Sequence, residues 1–490
     1  MIVAVFAILF AIFPLTDTDI WWHLACAREW VTTWTPVRMP VVNVHEYFQL
    51  VVGFVYGLGG APLLVAFKVV LWGVVFALFL RPARHAGCHS ELVSESAFPF
   101  KLIVSVLLLF IFRYHFEIRP VLFSLLFLGV YWNAVPWLAK KWSESRFNVK
   151  LVACAALILA IQWLWCKCQG LYVLGPIFAM LVLSFNLLET KRLRGLSAKA
   201  VVPQVVFVML LWLMPLLHRE GLALFLYPFG LFDRLLGLTP SAAVFASQIA
   251  ENRSPITLLM AGENVFQTSL MIVLCVVGIV VGIRYLVLKI CHPERNAVRH
   301  VVEGSKYLWL LITAFLAFVA ERNFVLFLPV FLAVIKNEKF VIQPSRVIAI
   351  TFIACFMGMW AKSLSAYDLS MVAYQRVPVQ ATAWMANHPH SGRLFNDDRA
   401  GGYLALMNPA DSIYIDGRFI LKTADFFERY LSYAKDPALF MADADSLGVD
   451  RAIFPLQYYA RWDSLLHALQ QDSRWHLAYR DDYFAVFDKK

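Results

Sequence analysis

A short segment near the amino terminus brings two carboxylates and an imidazole together just after an apolar run. Asp17 and Asp19 are followed by Trp22 and His23. Asp19, Trp22, His23 and Cys26 have the i, i+3, i+4, i+7 spacing that places side chains on one face of a helix. A carboxylate in this setting can remove the proton of an acceptor hydroxyl as a general base. The sequence leaves a structural alternative open, in which Asp17 and Asp19 cap the start of a surface helix.

Further charged and imidazole side chains are predicted at helix ends on the same side of the molecule. They are His45, Glu46, Arg113, Arg119, Lys167 and Arg322. Arginine and lysine bind phosphate groups and stabilise the charge of a departing phosphate. Asp, Glu and His side chains can hold a divalent cation with the same effect. Each cation alone could instead anchor its helix to headgroups, but together they indicate a site for a lipid-linked phosphate.

Composition places these groups in a membrane protein. Hydrophobic residues make up 60% of the chain and charged residues 16%, whereas soluble domains carry about 25% charged residues. A helix that crosses the hydrocarbon core needs about twenty apolar residues, and the sequence predicts about eleven such spans. The predicted spans are residues 1–15, 61–80, 100–113, 119–139, 149–166, 170–188, 200–217, 265–288, 306–320, 323–336 and 346–362.

The loops between these spans differ in charge, which predicts an orientation. Five loops each carry three or four Lys or Arg residues, namely 81–101, 139–150, 189–199, 289–306 and 336–346. Positively charged loops stay in the cytoplasm. We therefore expect a multi-pass protein of the cytoplasmic (inner) membrane, with its amino terminus inside and residues after 363 outside. The net charge of +10 then indicates contact with anionic lipid, and no nucleic-acid partner is expected.

The first predicted span is short, because about fifteen residues rise only about 22 Å in a helix. A cleaved signal peptide is the alternative, but the segment lacks a basic start and a small-residue cleavage site. We expect a short first helix, with an upstream start outside this sequence.

Three regions are predicted to lie outside the membrane, two of them within a transmembrane domain of residues 1–362. The first outer loop, 16–60, contains the Asp17–His23 segment, whose tryptophans favour a helix in the headgroup layer. The second outer region spans residues 218–264. Residues 376–490 alternate strand and helix patterns, which predicts an extracytoplasmic, soluble α/β domain. Its expected elements are strands at 392–397, 412–417, 450–455, 475–481 and 483–489, helices at 424–434 and 461–472, and turns at Gly401–Gly402 and Asp416–Gly417.

These motifs, in this order, resemble the GT-C class of integral-membrane glycosyltransferases. That class includes the protein mannosyltransferases and the aminoarabinose transferases that modify lipid A, and the chain is most similar to a bacterial branch related to them. The opening Asp-x-Asp-x-Trp-Trp-His motif is present from Asp17 to His23. The chain departs from the pattern at Gln169, where His is expected, and at Tyr227, where Asn is expected. The other matching motifs are His45–Glu46–Tyr47, Arg119–Pro120 with Phe123–Ser124, Arg322–Asn323, Gly401–Leu404 and Asp416–Arg418.

The resemblance implies a polytopic α-helical, GT-C-like fold and an inverting glycosyltransferase activity. The donor would be a polyprenyl-phosphate sugar that enters from the bilayer. The acceptor would be an envelope lipid, glycan or protein at the outer face of the membrane. Asp19 or Asp17 would be the catalytic base, and the helical face that Asp19 shares with Trp22 and His23 favours Asp19.

The resemblance also implies roles for the remaining residues. His23, His45 and Glu46 would line the acceptor side or hold a metal. A divalent cation, Mg or Mn, would be bound by Asp17, Asp19 and Glu46. The donor phosphate would be bound by Arg119, Arg322, Arg113 and Lys167. Asp416 and Arg418 are candidate site residues of the carboxy-terminal domain, with a structural turn and ion pair as the alternative.

Two other classes of function remain open from the sequence. A transporter or flippase of a lipid-linked glycan would have similar spans, but few charges lie inside the predicted spans and no inverted repeat is visible. A non-catalytic assembly protein that retains the fold would be compatible with the departures at Gln169 and Tyr227. Membrane lipids are expected partners in each case.

Overall fold

The computed structural model describes residues 2–38, 41–81, 98–144, 148–194, 197–236, 240–291, 300–336, 338, 345–457 and 460–490. The described residues contain α-helices, short 3-10 helices, irregular connections and one small sheet. The helices are α1 (Ile2–Phe10), α2 (Asp19–Arg28), α3 (Glu46–Phe79), α4 (Phe98–Ile111), α5 (Pro120–Ser143), α6 (Val149–Cys166), α7 (Leu174–Arg194), α8 (Ala198–Leu213), α9 (Gly221–Leu236), α10 (Pro240–Gln248), α11 (Pro255–Met260), α12 (Val265–Cys291), α13 (His300–Val319), α14 (Phe324–Ile335), α15 (Arg346–Ser365), α16 (Val379–Ala386), α17 (Asp398–Met407), α18 (Ala424–Ser432), α19 (Pro437–Leu447) and α20 (Asp463–Gln471). The strands are β1 (Arg393–Asn396), β2 (Val449–Pro455), β3 (Trp475–Arg480) and β4 (Phe484–Lys489).

Seven helical segments of the described residues are long and apolar enough to cross a membrane. They are Glu46–Phe79, Pro120–Ser143, Val149–Cys166, Gly170–Leu188, Ala198–Leu217, Val265–Leu288 and Val347–Ser365. Shorter apolar helical segments accompany them at Phe100–Ile111, Gly221–Gly230 and Gly304–Val319. The chain is therefore a multi-pass α-helical membrane protein, whereas the count of eleven spans is not confirmed.

Two of the predicted spans, 1–15 and 323–336, form short helices. Helix α1 has 9 residues and α14 has 12, so they rise only about 14 and 18 Å against a hydrocarbon core of about 30 Å. Every residue of α14 from Phe324 to Val334 is buried, and α14 packs against α3 and α13. Other helices, rather than lipid, therefore cover α14.

Helix α3 is kinked and joins part of the predicted first outer loop to a membrane span. Gly60 has φ 63° and ψ −156°, a conformation that glycine adopts readily and other residues do not. Pro62 follows and lacks the N–H that a continuous helix would use. The segment that begins at Glu46 is thereby redirected before the span continues, and Glu46 is fixed at the start of a long helix.

Residues 376–490 contain a four-stranded sheet in the order β1-β2-β4-β3. Strands β1 and β2 are parallel, and β4 pairs antiparallel with both β2 and β3. Helices α18 and α20 lie where the helical pattern predicted them. Aromatic side chains fill the space beside the sheet, where Phe395 contacts Tyr430, Phe454 and Trp462. Four of the five predicted strands and the α/β class of this region are confirmed.

Residues 412–417, which were predicted to be a strand, do not join the sheet. The backbone N–H of Tyr414 donates to Asn396 Oδ1 at 2.7 Å, and Asn396 Nδ2 donates to the carbonyl of Ile415 at 2.7 Å. The first outer loop pairs with the same segment through the N–H of Trp34. A side chain and a distant loop therefore satisfy these backbone groups, and the strand prediction was wrong for that reason.

Gly401 and Gly402 were predicted to form a turn but lie inside α17. A methyl group on Gly401 would lie 1.9 Å from the carbonyl oxygen of Ile415, and one on Gly402 would lie 2.7 Å from the backbone nitrogen of Trp22. Gly402 allows α17 to pack directly against α2, whereas Gly401 allows it to pack against the backbone of Ile415. Trp21 and Trp22 are buried, because α17 of the carboxy-terminal domain covers α2. The prediction that these tryptophans face headgroups was wrong, since sequence periodicity does not reveal this packing.

Candidate active site

Arg119 is held between two carboxylates from distant parts of the chain. Its Nε and Nη2 donate to Asp17 at 2.9 and 2.8 Å. Its Nη1 and Nη2 donate to Glu251 at 2.7 Å each. Pro120 occupies the first turn of α5, a position that suits proline, and this fixes Arg119 at the start of that helix. We call Asp17, Arg119 and Glu251 the arginine clamp.

The arginine clamp carries one net negative charge. Burial opposes the charge of Arg119, but Asp17 and Glu251 raise the pKa of its guanidinium well above the ordinary value. Burial also opposes the ionisation of Glu251, but the charge of Arg119 lowers the pKa of that carboxyl to about 2. The charge of Arg119 is therefore shared between two carboxylates before any phosphate binds.

Arg322 lies beside the arginine clamp and has no carboxylate partner among the described residues. Its Nη1 donates to Asn252 Oδ1 at 2.7 Å, and its side chain is exposed. The turn that carries Arg322 is joined to the turn that carries Asn252, because the N–H of Glu321 donates to the carbonyl of Arg253 at 3.0 Å. The charge of Arg322 reaches Glu251 and contributes to the lowered pKa of that carboxyl. Arg322 thus presents free N–H groups next to the clamp.

Asp19 lies next to the arginine clamp but is not part of it. Trp22 Nε1 donates to Asp19 Oδ1 at 3.2 Å, and no ion pair involves Asp19 within the described part of the chain. Its side chain is partly exposed. Burial of the charged form raises the pKa of Asp19 to about 7, and the negative charge of Asp17 adds to the rise. A carboxylate with a pKa near ambient pH is well suited to accept and release a proton.

The capping alternative applies to Asp17 more than to Asp19. Helix α2 begins at Asp19, and the side chain of Thr18, at the N-cap position, makes no capping hydrogen bond. Asp17 Oδ1 accepts the backbone N–H of Asp19 at 3.3 Å. Asp17 therefore combines a role at the helix start with its bonds to Arg119, whereas the Asp19 carboxylate is bonded by Trp22.

His23 and His45 lie close together, with ring centroids 5.2 Å apart and planes at 90°. His45 Nδ1 lies 3.2 Å from the carbonyl oxygen of Cys168 and donates to it. His23 Nδ1 lies 3.5 Å from the side-chain nitrogen of Gln49. Burial lowers the pKa of His45 to about 4 and the pKa of His23 well below its ordinary value. Both rings are therefore neutral at physiological pH and can bond an acceptor without adding charge.

Lys167 was predicted to bind phosphate, but two other carboxylates neutralise it. Its Nζ lies 2.7 Å from Glu46 Oε2 and 2.6 Å from Glu220 Oε1, and its side chain is 3% exposed. Burial opposes the charge of Lys167, but the bonds to Glu220 and Glu46 raise its pKa. The structure therefore joins Glu46 and Lys167, which were predicted to bind different groups, in one ion cluster.

Arg113 is bound to its own helix end. Its Nη1 donates to the carbonyl of Phe110 at 2.8 Å and its Nη2 to the hydroxyl of Tyr114 at 2.7 Å. The guanidinium also lies over the rings of both residues. A positive charge is favourable at the carboxyl end of a helix such as α4. Among the described residues these contacts do not include the arginine clamp, so the structure does not bring Arg113 together with Arg119.

Asp416 and Arg418 form a buried ion pair in the carboxy-terminal domain. Arg418 Nε lies 3.0 Å from both carboxylate oxygens of Asp416, and the two side chains are 5% and 3% exposed. The guanidinium of Arg418 lies 5.5 Å from the centre of the Trp22 ring. Gly417, between them, contacts Asp19, because a methyl group there would lie 2.0 Å from Asp19 Oδ1. The turn thus contains the ion pair that the structural alternative predicted, and it also lies beside Asp19, the candidate base.

The sequence analysis did not predict Glu251, Asn252 or Glu117 as site residues. The polar triplet Glu251–Asn252–Arg253, in an otherwise apolar region, was the available signal for the first two. Glu117 Oε1 accepts the hydroxyl of Thr16, while Oε2 is buried without a hydrogen bond. Burial raises the pKa of Glu117 to about 7. The crowding of charged residues in the turn before Arg119 was the signal for Glu117.

The three side chains expected to hold a divalent cation do not converge. Both oxygens of Asp17 accept hydrogen bonds from Arg119, and Glu46 pairs with Lys167. In the ranges that the structure describes, no group of three or more His, Cys, Asp or Glu side chains is arranged to hold a metal ion. As arranged, Asp17, Asp19 and Glu46 do not fit a Mg²⁺ or Mn²⁺ site.

Membrane-spanning helices are joined to a carboxy-terminal α/β domain that packs on the first outer loop, and with this architecture the chain has a GT-C-like fold. Among solved structures, the chain is similar to the apo form of an oligosaccharyltransferase from Archaeoglobus fulgidus. The TM-score is 0.51, the identity is 10%, and the match covers 93% of this chain and 69% of the archaeal chain. At this identity the similarity shows the fold.

Other structures of oligosaccharyltransferase from the same archaeon match with TM-scores below 0.5. One is AglB in complex with an inhibitory peptide and a dolichol-phosphate, at a TM-score of 0.47, 12% identity and 92% and 68% coverage of the two chains. Another is a complex with Zn and sulfate, at 0.48, 11%, 92% and 67%. No family model and no curated protein matches the chain. The comparisons therefore show the fold alone, and the reaction is inferred from the residues of the site.

Proposed function

We propose that this protein is a glycosyltransferase that moves a sugar from a polyprenyl-phosphate donor to an envelope acceptor at the outer face of the membrane. The observation that carries the proposal is Asp19, a partly exposed carboxylate with a pKa of about 7 beside the arginine clamp. Arg322, which has no carboxylate partner among the described residues, borders the same clamp at Glu251. The fold supports it, because the similar archaeal protein is an oligosaccharyltransferase. The cytoplasmic membrane, with the amino terminus inside, is the proposed location.

In the proposed reaction Asp19 accepts the proton of the acceptor hydroxyl while that oxygen attacks the anomeric carbon of the sugar. The bond between this carbon and the phosphate oxygen breaks, and its electron pair leaves with the polyprenyl phosphate. Attack from the side opposite the phosphate inverts the anomeric centre. One glycosidic bond forms, one glycosyl–phosphate bond breaks, and the proton remains on Asp19 until solvent removes it.

The cations divide into those that bind substrate and those that shape the site. Arg322 is the proposed phosphate ligand, because its side chain is exposed and, among the described residues, only Asn252 accepts a hydrogen bond from it. Arg119 is proposed to approach the phosphate from within the clamp and to hold Asp17 in place. Asp17 is a positioning residue in this proposal, because Arg119 already engages both of its oxygens.

The acceptor is proposed to bind on the side of His23, His45 and Glu46. The two imidazoles are neutral, and Glu46 is exposed while Lys167 holds it in place. Lys167 and Arg113 are structural in this proposal, because each is engaged within the protein. The proposed domains are a transmembrane domain, residues 1–362, and an extracytoplasmic domain, residues 376–490.

The proposal is tested by the transfer of radiolabelled sugar from polyprenyl-phosphate donors in proteoliposomes. We expect Asp19→Asn to lower the rate by at least about 100-fold, the size of a general-base contribution, and Asp17→Asn to lower it less. The control is Asp425→Asn, because Asp425 is an exposed carboxylate on α18, outside the site. Its rate should equal that of the wild type.

Two results would contradict the proposal. One is transfer that survives Asp19→Asn at the wild-type rate. The other is a wild-type protein that transfers no sugar from any donor but moves the lipid-linked glycan across the bilayer, which would make it a transporter.

A further inference from the structure

The turn Asp416–Gly417–Arg418 of the carboxy-terminal domain lies directly against the proposed base. A methyl group on Gly417 would lie 2.0 Å from Asp19 Oδ1 and 3.4 Å from Trp22 Nε1. Gly417 is not among the residues with positive φ. Glycine is therefore needed here because it has no side chain, and not because of its backbone conformation.

The turn is fastened both to its own domain and to the first outer loop. Asp416 Oδ1 accepts the backbone N–H of Arg418 at 2.9 Å. The guanidinium of Arg418 donates to the carbonyl of Val31 at 2.9 Å and lies 4.9 Å from the centre of the Trp30 ring. Because Asp416 and Arg418 are buried, these bonds compete little with water. The turn is therefore a rigid support.

Trp22 connects this support to Asp19. Its Nε1 donates to Asp19 Oδ1, the guanidinium of Arg418 lies over its ring, and Gly402 of α17 packs against its backbone nitrogen. Asp19 Oδ1 is thus bonded by Trp22 and covered by Gly417. Asp19 Oδ2 accepts no hydrogen bond from the described residues, which leaves this oxygen available to a substrate.

We infer that Gly417 is a positioning residue, which holds Asp19 so that Oδ2 faces the acceptor hydroxyl. This inference rests on the proposed function, in which Asp19 is the base. It also changes the role of the carboxy-terminal domain, which then sets the geometry of the catalytic carboxylate instead of only presenting the acceptor. The proton moves from the acceptor oxygen to Asp19 Oδ2, while Oδ1 keeps its bond to Trp22.

The expected effect of Gly417→Ala follows from the contact distance. The added methyl group must move by about 1.4 Å relative to Asp19 Oδ1 to go from 2.0 Å to the ordinary contact distance of 3.4 Å. A displacement of about 1 Å at a reacting group costs about 100-fold in rate. We expect kcat to fall about 100-fold and the donor KM to change less than about twofold, because the phosphate ligands are untouched.

The matched control is Gly392→Ala in the same domain. A methyl group on Gly392 would lie 2.7 Å from Asp450 Cγ and 2.7 Å from the carbonyl oxygen of Gly448. The steric conflict is real but smaller, because the methyl group must move by about 0.7 Å to reach 3.4 Å instead of about 1.4 Å, and these neighbours belong to the carboxy-terminal domain and not to α2. Gly392→Ala should keep its kcat within about twofold of the wild type, even if the domain loses stability.

A second measurement does not depend on sugar transfer. The full-length protein in nanodiscs is titrated by infrared difference spectroscopy, and the Asp19 carboxyl band is identified by its loss in Asp19→Asn. We expect the wild-type band to titrate with a midpoint near pH 7. In Gly417→Ala the displaced carboxylate leaves its desolvated position, so the midpoint should fall by at least about one pH unit. The Glu117 band, which remains in Asp19→Asn, reports that the site is folded.

The outcomes separate the inference from the proposed function. An unchanged Asp19 midpoint in Gly417→Ala, with Glu117 still titrating, overturns the inference, and so does an equal loss of kcat in Gly417→Ala and Gly392→Ala. If the wild type transfers no sugar but the midpoint falls as expected, the proposed function fails and the positioning stands. If Gly417→Ala does not fold, Trp22→Phe serves instead. It removes a hydrogen bond that lowers the pKa of Asp19, so the midpoint must rise, and an unchanged midpoint overturns the inference.

Discussion

The rate of sugar transfer should depend on the protonation of Asp19. Burial and the charge of Asp17 raise the pKa of Asp19 to about 7, and only the ionised form can accept a proton. Two pH units below this pKa, about 1% of the carboxylate is ionised. The value of kcat/KM should therefore be about 100-fold lower near pH 5 than on the plateau, whereas an ordinary aspartate with a pKa of about 3.9 would lose only about a tenth there.

The assay is the initial rate of transfer at limiting donor from about pH 5 to about pH 9, because kcat/KM reports ionisations of the free enzyme. The control is Glu117→Gln. The pKa of Glu117 is also raised to about 7 by burial, so Glu117 could produce the same fall in kcat/KM at acidic pH. If Asp19 is responsible, this fall must persist in Glu117→Gln, where residue 117 can no longer titrate.

Two profiles would refute this reasoning. A limb that disappears in Glu117→Gln would assign the titration to Glu117 instead of Asp19. A half-maximum below about pH 5 would mean that Asp19 titrates nearly as an ordinary aspartate, and the argument from burial would fail. Either profile would also remove the electrostatic reason for choosing Asp19 over Asp17 as the base.

Three further predictions concern the same side chains. The folded-state pKa of Asp19 lies above its unfolded value of 3.8, so ionisation of Asp19 destabilises the fold increasingly from about pH 4 to about pH 7. Asp19→Asn should therefore raise the thermal midpoint at about pH 8 and leave it unchanged near pH 4. Midpoints equal to those of the wild type at both pH values would contradict this prediction. Arg119→Met leaves Asp17 and Glu251 unpaired and should lower the free energy of unfolding by about 3 kcal/mol in detergent. A loss below about 1 kcal/mol would contradict this prediction. Arg322→Gln should raise the donor KM, measured from initial rates, about tenfold and leave the midpoint of the pH profile unchanged. An unaltered donor KM would show that Arg322 is not the phosphate ligand.

Features that depend on local sequence were predicted well. The helical spacing from Asp19 to Cys26 is realised in α2, and the alternating patterns of the carboxy-terminal domain gave four of its strands. Side-chain periodicity reports which face of an element is buried, and this information is contained in a few neighbouring residues. The segment 412–417 shows the limit of the method, because its alternation is real while its hydrogen-bond partners come from Asn396 and the first outer loop.

The pairing of charges could not be read from the sequence. Arg119 bonds to carboxylates that are 102 and 132 residues away along the chain. The sequence shows that cations and acids are both abundant on one face, but not which of them neutralise each other. Lys167 illustrates the consequence, since its position at a helix end suggested a phosphate ligand and the fold uses it to hold Glu46 and Glu220.

Gly401 and Gly402 were misread for a related reason. In a sequence, adjacent glycines indicate a turn because they tolerate positive φ. In this fold Gly402 lies inside α17 and is required where that helix meets the backbone of Trp22, whereas Gly417 lies in a turn as predicted and is required where that turn meets the Asp19 carboxylate. Such contacts are made between the carboxy-terminal domain and α2, so only the tertiary structure reveals them.

The pattern of paired and unpaired charges gives the site its chemical asymmetry. The arginine clamp holds one guanidinium between two carboxylates, and Lys167 holds two further carboxylates, so each cluster has one net negative charge. A neighbouring acid in such a field, partly removed from water, retains its proton to a higher pH, which is the condition that a general base at neutral pH requires. Arg322 lies at the same face and pairs with no acid in the described part of the chain, so a phosphate can displace water from it without first breaking an ion pair. Proton acceptance and phosphate binding are thereby assigned to separate groups, Asp19 and Arg322, by the neutralisation of the other cations around them.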